Sequence, residues 1–134
     1  MKRHPALQEL SREHYGALKL ARDGKAAALS GDAAAVAALA ARIGGEFESE
    51  LEPHFREEET ELLPFLEAAG ETSLVARTLA EHAELRALSA ALWQPDAATL
   101  QRFSELLAAH VRFEERTLFE AAQAKGFAAA ALSA

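Results

Sequence analysis

His54-Phe55-Arg56-Glu57-Glu58 and its echo His110-Val111-Arg112-Phe113-Glu114 decide how this chain folds. In each, a glutamate follows a histidine by four residues. Four residues on a helix turn about 40° past a full revolution, so both side chains leave the same face. Working outward, apolar residues continue that face in steps of three and four. One stripe reads Phe47, Leu51, His54, Glu58, Leu62, Phe65, and the other Phe103, Leu107, His110, Glu114, Leu118. Two more carry a single histidine each: Leu7, Leu10, His14, Leu18, Ala21, and Val75, Leu79, His82, Leu85, Arg86, Leu92. Such periods define amphipathic helices with one buried face. Every histidine has apolar neighbours about a turn before and after it. Four imidazoles and two carboxylates are therefore predicted to face one axis at similar depth.

The punctuation divides the chain into four helices, at about 5–29, 33–69, 73–93 and 96–125. Pro5 suits a first helical position. Asp23-Gly24 is a weak spot or early end of the first helix. Asp32 and Asp96 are N-caps, and Thr72 or Ser73 caps the third helix. Gly70 and Gly126 are stops. Pro53 and Pro64 fall inside the second segment, where proline costs roughly 3 kcal/mol and bends the axis; a long kinked helix is expected there, with two abutting helices as the alternative. The short loops favour antiparallel neighbours, so residues 1–134 are read as a single all-α domain, an up-down-up-down four-helix bundle. Phe127 to Ala134 is read as a docked turn or a frayed tail.

Composition agrees and excludes. Half the chain is apolar and alanine is its commonest residue, which favours helix over strand. The formal charge of -7 argues against nucleic acid and anionic membranes as partners. The absence of cysteine removes disulfides, thiolate metal sites and cysteine nucleophiles. No stretch is long and apolar enough to span a bilayer, and the segment after Met1 lacks a signal peptide's apolar core. A cytoplasmic location is expected.

The chain also repeats itself weakly. Setting His54 on His110 aligns Arg56 with Arg112, Glu58 with Glu114, Glu59 with Glu115 and Leu62 with Leu118. Setting His14 on His82 aligns Glu13 with Glu81. An approximate two-fold axis through the site is predicted.

Imidazole and carboxylate together suit iron, zinc, copper, manganese or nickel. Two unpartnered glutamates in a bundle core would cost several kcal/mol per ion. Two divalent metals bring more positive charge than two carboxylates cancel, and a bridging hydroxide or another anion would reduce the excess. A lone core histidine is usually just hydrogen-bonded, and a lone His-x-x-x-Glu is usually a surface pair. Four histidines on four apolar stripes, with that motif used twice, point to metal. Glu57, Glu59 and Glu61 read as a solvated face, with Glu61 the one to watch. Glu13 and Glu81 could orient imidazoles as acceptors, but they precede their histidines by one residue and solvent is the expected destination. His4 is expected to be exposed, and Tyr15 and Trp93 to be packing residues.

The pattern resembles the hemerythrin-like family, the HHE cation-binding domains. The residues that carry the resemblance are Glu52-Pro-His-Phe-Arg-Glu-Glu-Glu59 through Leu63-Pro64, Glu81-His82, and His110-Val-Arg-Phe-Glu-Glu115. The resemblance implies a four-helix bundle around a non-haem di-iron centre, two irons bridged by oxo or hydroxo, with zinc or another divalent metal as substitutes. By motif position the ligands are His14, His54, Glu58, His82, His110 and Glu114, with Glu115 as the alternative. A five-residue step from His110, as in the oxygen carriers, favours Glu115; the four-residue step of many relatives favours Glu114. The oxygen carriers have a second helix-3 histidine where this chain has Arg86, and a guanidinium cannot ligate a cation. Reversible oxygen carriage is therefore not expected. Arg86 is expected to pair with Glu58, Glu114 or a bound anion. The leading expectation is a protein that binds or senses oxygen, nitric oxide or peroxide. A redox enzyme of stress defence or iron-centre repair, and a helical interaction module with structural or no metal, are the alternatives.

Overall fold

The computed structural model describes residues 4–127. They form four antiparallel rods joined by short turns. The first is α1 (Pro5–Leu29). The second runs through α2 (Ala33–Glu46), α3 (Glu52–Glu57) and α4 (Leu63–Ala68). The third is α5 (Thr72–Ala91). The fourth is α6 (Ala97–Phe113) continued by α7 (Phe119–Ala124). Consecutive rods are neighbours, and α1 closes the bundle by packing along α6. No helix among the described residues is long and apolar enough to cross a membrane.

Local chemistry sets the rod ends. Asp32 accepts from the Ala34 N–H at 2.9 Å, and Asp96 from the Thr99 N–H at 2.8 Å. Both satisfy orphan donors of a first turn. Gly70 and Gly126 take φ of 91° and 84°, a left-handed exit that glycine makes without a Cβ clash. The third rod differs from expectation: Thr72 and Ser73 lie inside it, and the side chain of its cap residue, Glu71, does not hydrogen-bond the first turn. His4 is half-buried rather than exposed, and its Nδ1 accepts from the Ala6 N–H at 3.2 Å. Asp23-Gly24 does not end α1, which continues to Leu29. At Gly24 α1 packs against α6, and a Cβ there would strike the Ser104 side chain.

The rods that carry Glu58 and Glu114 are interrupted by three π turns, two of them just before the prolines at which a bend is expected. At Phe47–Leu51, Glu58–Leu62 and Glu114–Leu118 the helix widens by one residue. The N–H groups of Glu52, Leu63 and Phe119 reach carbonyls five residues back, at Phe47, Glu58 and Glu114. The first two widenings are followed at once by Pro53 and Pro64, whose rings would otherwise collide with the preceding turn.

The core has two apolar halves. One is built around Leu20, Ile43, Phe55, Leu85, Phe103 and Leu107, the other around Leu10, Leu62, Leu66, Leu118 and Phe119. His14, His54, Glu58, His82, His110 and Glu114, all buried, form the layer between them. The stripes needed trimming in two places. Leu18 and Leu79 are 38% and 45% exposed, because Ala17 and Thr78 take the inward positions. Tyr15 and Trp93, expected to pack, are each 79% exposed. Phe127 is buried and meets Phe65 edge-on at 5.1 Å, while residues 128–134 of the expected tail lie outside the described residues.

Candidate metal centre

Each rod delivers its histidine to the middle layer. Two groups of possible ligands result, each with its donor atoms within 4.8 Å of one another. His14, His54, Glu58 and Glu114 make one; Glu58, His82, His110 and Glu114 make the other. Both carboxylates belong to both groups. The repeat accounts for this arrangement, because exchanging rods one and two with rods three and four turns one group into the other.

The carboxylates are placed by the π turns, since Glu58 and Glu114 are the first residues of the second and third widenings. His54 Nε2 stands 3.0 Å from Glu58 Oε2, and His110 Nε2 is 3.0 Å from Glu114 Oε2. His82 Nε2 lies 3.1 Å from Glu58 Oε1, and His14 Nε2 is 2.8 Å from Glu114 Oε1. Most of these approaches lack hydrogen-bond alignment. The Nε2 atoms of His54, His82 and His110, both oxygens of Glu58 and Oε2 of Glu114 are buried without a hydrogen-bond partner. Buried polar atoms are rarely left so, and a concentration of them at one point fits a cation-binding site. The donor set, nitrogen and carboxylate oxygen with no sulfur, fits a divalent transition metal.

The outer face of every imidazole is also occupied. His14 Nδ1 meets Glu115 at 2.6 Å, His54 Nδ1 meets Glu13 at 2.7 Å, His82 Nδ1 meets Glu59 at 2.7 Å, and His110 Nδ1 meets Glu81 at 2.6 Å. A carboxylate there holds the proton on Nδ1 and leaves Nε2 free to bind metal. Glu59 and Glu81 are thereby turned inward, against the expectation that they face solvent, while Glu13 holds His54 and stays exposed as expected. Glu13 and Glu81 point away from their own histidines because each serves the histidine of the next rod. Glu115, the rival to Glu114, supports His14 from outside and also accepts from Ser11 Oγ at 2.7 Å. Glu57 and Glu61 belong to neither ligand group. The sequence held a signal for all four supports, because Glu13/Glu81 and Glu59/Glu115 are the acidic pairs the repeat aligns.

Arg86 does not reach Glu58 or Glu114. It straps Glu52 at 2.7 Å and Glu59 at 2.8 Å, holding both carboxyls below their usual range. Phe55 stacks on His82 with ring centres 4.0 Å apart, closing the same side. In the metal-free chain burial would lower the histidine pKa values, but the carboxylates prevail. Glu58, Glu114 and Glu13 push His54 up to about 12; Glu114 and Glu58 push His82 up to about 9. Glu114 and Glu81 push His110 up to about 10, and His14 is raised by Glu114 and Glu115. Burial works against ionisation of Glu114, yet His110, His14 and His54 hold it well below the usual carboxylate range. Protons thus take the place of cations in the layer.

No curated protein and no solved structure matches the chain. A family model described as the hemerythrin HHE cation binding domain matches residues 6–122, most of the chain and every residue of the buried layer. The chain belongs to the hemerythrin HHE cation-binding family.

Proposed function

We propose that the protein is a non-haem iron protein that holds two irons and binds or senses a small molecule such as oxygen, nitric oxide or peroxide. The observation that carries this reading is the pair of four-ligand groups sharing Glu58 and Glu114. His14 and His54 would hold one ion, His82 and His110 the other, and the two carboxylates would span both. With four protein donors each, the ions would keep room for a small ligand. Bound iron supplies the redox and small-molecule-binding chemistry. The protein keeps the imidazoles in one tautomer and surrounds the centre with apolar walls. Charge favours the arrangement as well. Glu13, Glu59, Glu81 and Glu115 at the outer imidazole nitrogens offset the positive charge that Glu58 and Glu114 alone would leave.

The test is metal analysis of protein purified without chelator or nickel affinity, then anaerobic ferrous loading and exposure to oxygen or azide. Two irons per chain and new ligand-to-metal charge-transfer bands are expected. Stable binding of zinc alone, or an iron-loaded protein that stays spectroscopically silent, would overturn the reading.

A further inference from the structure

The three π turns are not equivalent. Those beginning at Glu58 and Glu114 carry the shared carboxylates and are related by the repeat. The one at Phe47–Leu51 carries none of the six residues of the buried layer, and the segment the repeat pairs with it, 103–107, is regular α-helix. π turns gather at functional places. This one brings Ser49, Glu50 and Leu51 to a cavity of about 390 Å³ bounded also by α1 and α6. Ala17, Leu20, Leu51, Phe55, Leu107 and Val111 form its apolar walls, and its floor is His14, His54 and Glu114.

Size argues against a diatomic as the sole occupant. A water molecule takes about 30 Å³, and a cavity of about 150 Å³ already holds benzene. The mouth carries a second sign. Gly16 lines it from mid-α1 with no positive φ, and a Cβ added there would meet nothing within 4 Å. Glycine in a helix interior costs about 1 kcal/mol against alanine. Neither backbone conformation nor a neighbouring rod requires it at this position, and a Cβ fits there freely, so only a longer side chain would take up room at the entrance. The charge at the entrance is negative. Glu13, Glu46 and Glu50 line it against a single arginine, Arg12; Glu13 also holds His54 Nδ1 at 2.7 Å and Arg12 meets Glu9 at 2.7 Å.

We infer that this cavity is a binding pocket for an organic molecule of about one or two aromatic rings, neutral or cationic, seated with its inner end toward His14 and His54. The inference goes beyond the iron reading and takes from it only the position of the pocket's floor.

Calorimetric titration of the zinc-loaded full chain with indole, tryptamine and indole-3-acetate tests it, since one ring system then presents three charges. Indole and tryptamine are expected to bind, and indole-3-acetate at least about ten-fold more weakly. Gly16→Leu should weaken indole and tryptamine by about ten-fold or more, with zinc content and helicity kept, while Gly16→Ala should bind nearly as the parent does. Absence of binding by all three probes up to about 1 mM, or equal indole affinity in Gly16→Leu and the parent, would overturn the proposal. A chain that fails to take up zinc yet binds indole, with Gly16→Leu abolishing that binding, would sink the metal reading and uphold the pocket.

Discussion

At the residue scale the site is a set of histidines held from both sides. Each Nε2 looks inward to Glu58 or Glu114, and each Nδ1 is held from outside by a glutamate of a neighbouring rod. The two kinds of carboxylate should fail differently. Glu81→Gln keeps a hydrogen-bonding group beside His110 but no longer fixes its tautomer; metal affinity is expected to fall about 10–100-fold with the fold intact. A competition titration against a chromophoric chelator measures this, and unchanged affinity would remove Glu81 from the site. His82→Ala should release the ion of one group and leave the other, because His82 belongs to one group alone. Glu114→Ala should lower the occupancy of both, since Glu114 is common to the two. Metal-to-protein ratios after dialysis separate these outcomes.

At the scale of elements, two glycines of α1 make opposite predictions. Gly24 faces Ser104 with no room for a Cβ, whereas Gly16 faces open space. Gly24→Ala should destabilise the bundle by about 1–3 kcal/mol, the cost of overpacking. Gly16→Ala should be neutral or stabilise by up to about 1 kcal/mol through helix propensity. Denaturant midpoints at constant m-value decide both. The Asp96 cap gives a pH test in a region remote from the metal layer. Its carboxyl is held below the ordinary aspartate value by the Thr99 N–H and hydroxyl. A depressed folded pKa contributes stability above the unfolded value near 3.8 and loses it as pH falls through the folded one. Asp96→Ala should therefore be less stable than the parent at neutral pH, and the gap should close in acid.

At the scale of the whole molecule, protons and metal compete for the same layer. His82 and His110 stay charged up to about 9 and about 10 in the metal-free fold, against an ordinary value of 6.5. A raised folded pKa contributes stability that is complete below the unfolded value and disappears as pH climbs through the folded one. Metal-free protein should thus lose thermal stability between about pH 7 and 10, while metal-loaded protein should not, because the ions supply the positive charge. Loading should release protons into a weakly buffered solution, which an indicator dye reports. A metal-free melting temperature that rises over this range would contradict the account.

The sequence by itself determined the helical class, the rod boundaries within a few residues, and the inward direction of His14, His54, Glu58, His82, His110 and Glu114. These follow from local rules: a period near 3.6, caps, and breakers at Asp32, Gly70, Asp96 and Gly126. The partners of Glu13, Glu59, Glu81 and Arg86 lie on other rods, and intrahelical spacing carries no information about what faces a side chain across a bundle. The π turns were hidden as well. Pro53 and Pro64 signal a disturbance in the helix, but they do not say that it takes the form of a π turn, and Glu114–Leu118 widens with no proline to announce it. The cavity at Phe47–Leu51 belongs wholly to tertiary structure, since it is the space left where a widened rod, a glycine of α1 and the apolar face of α6 fail to touch.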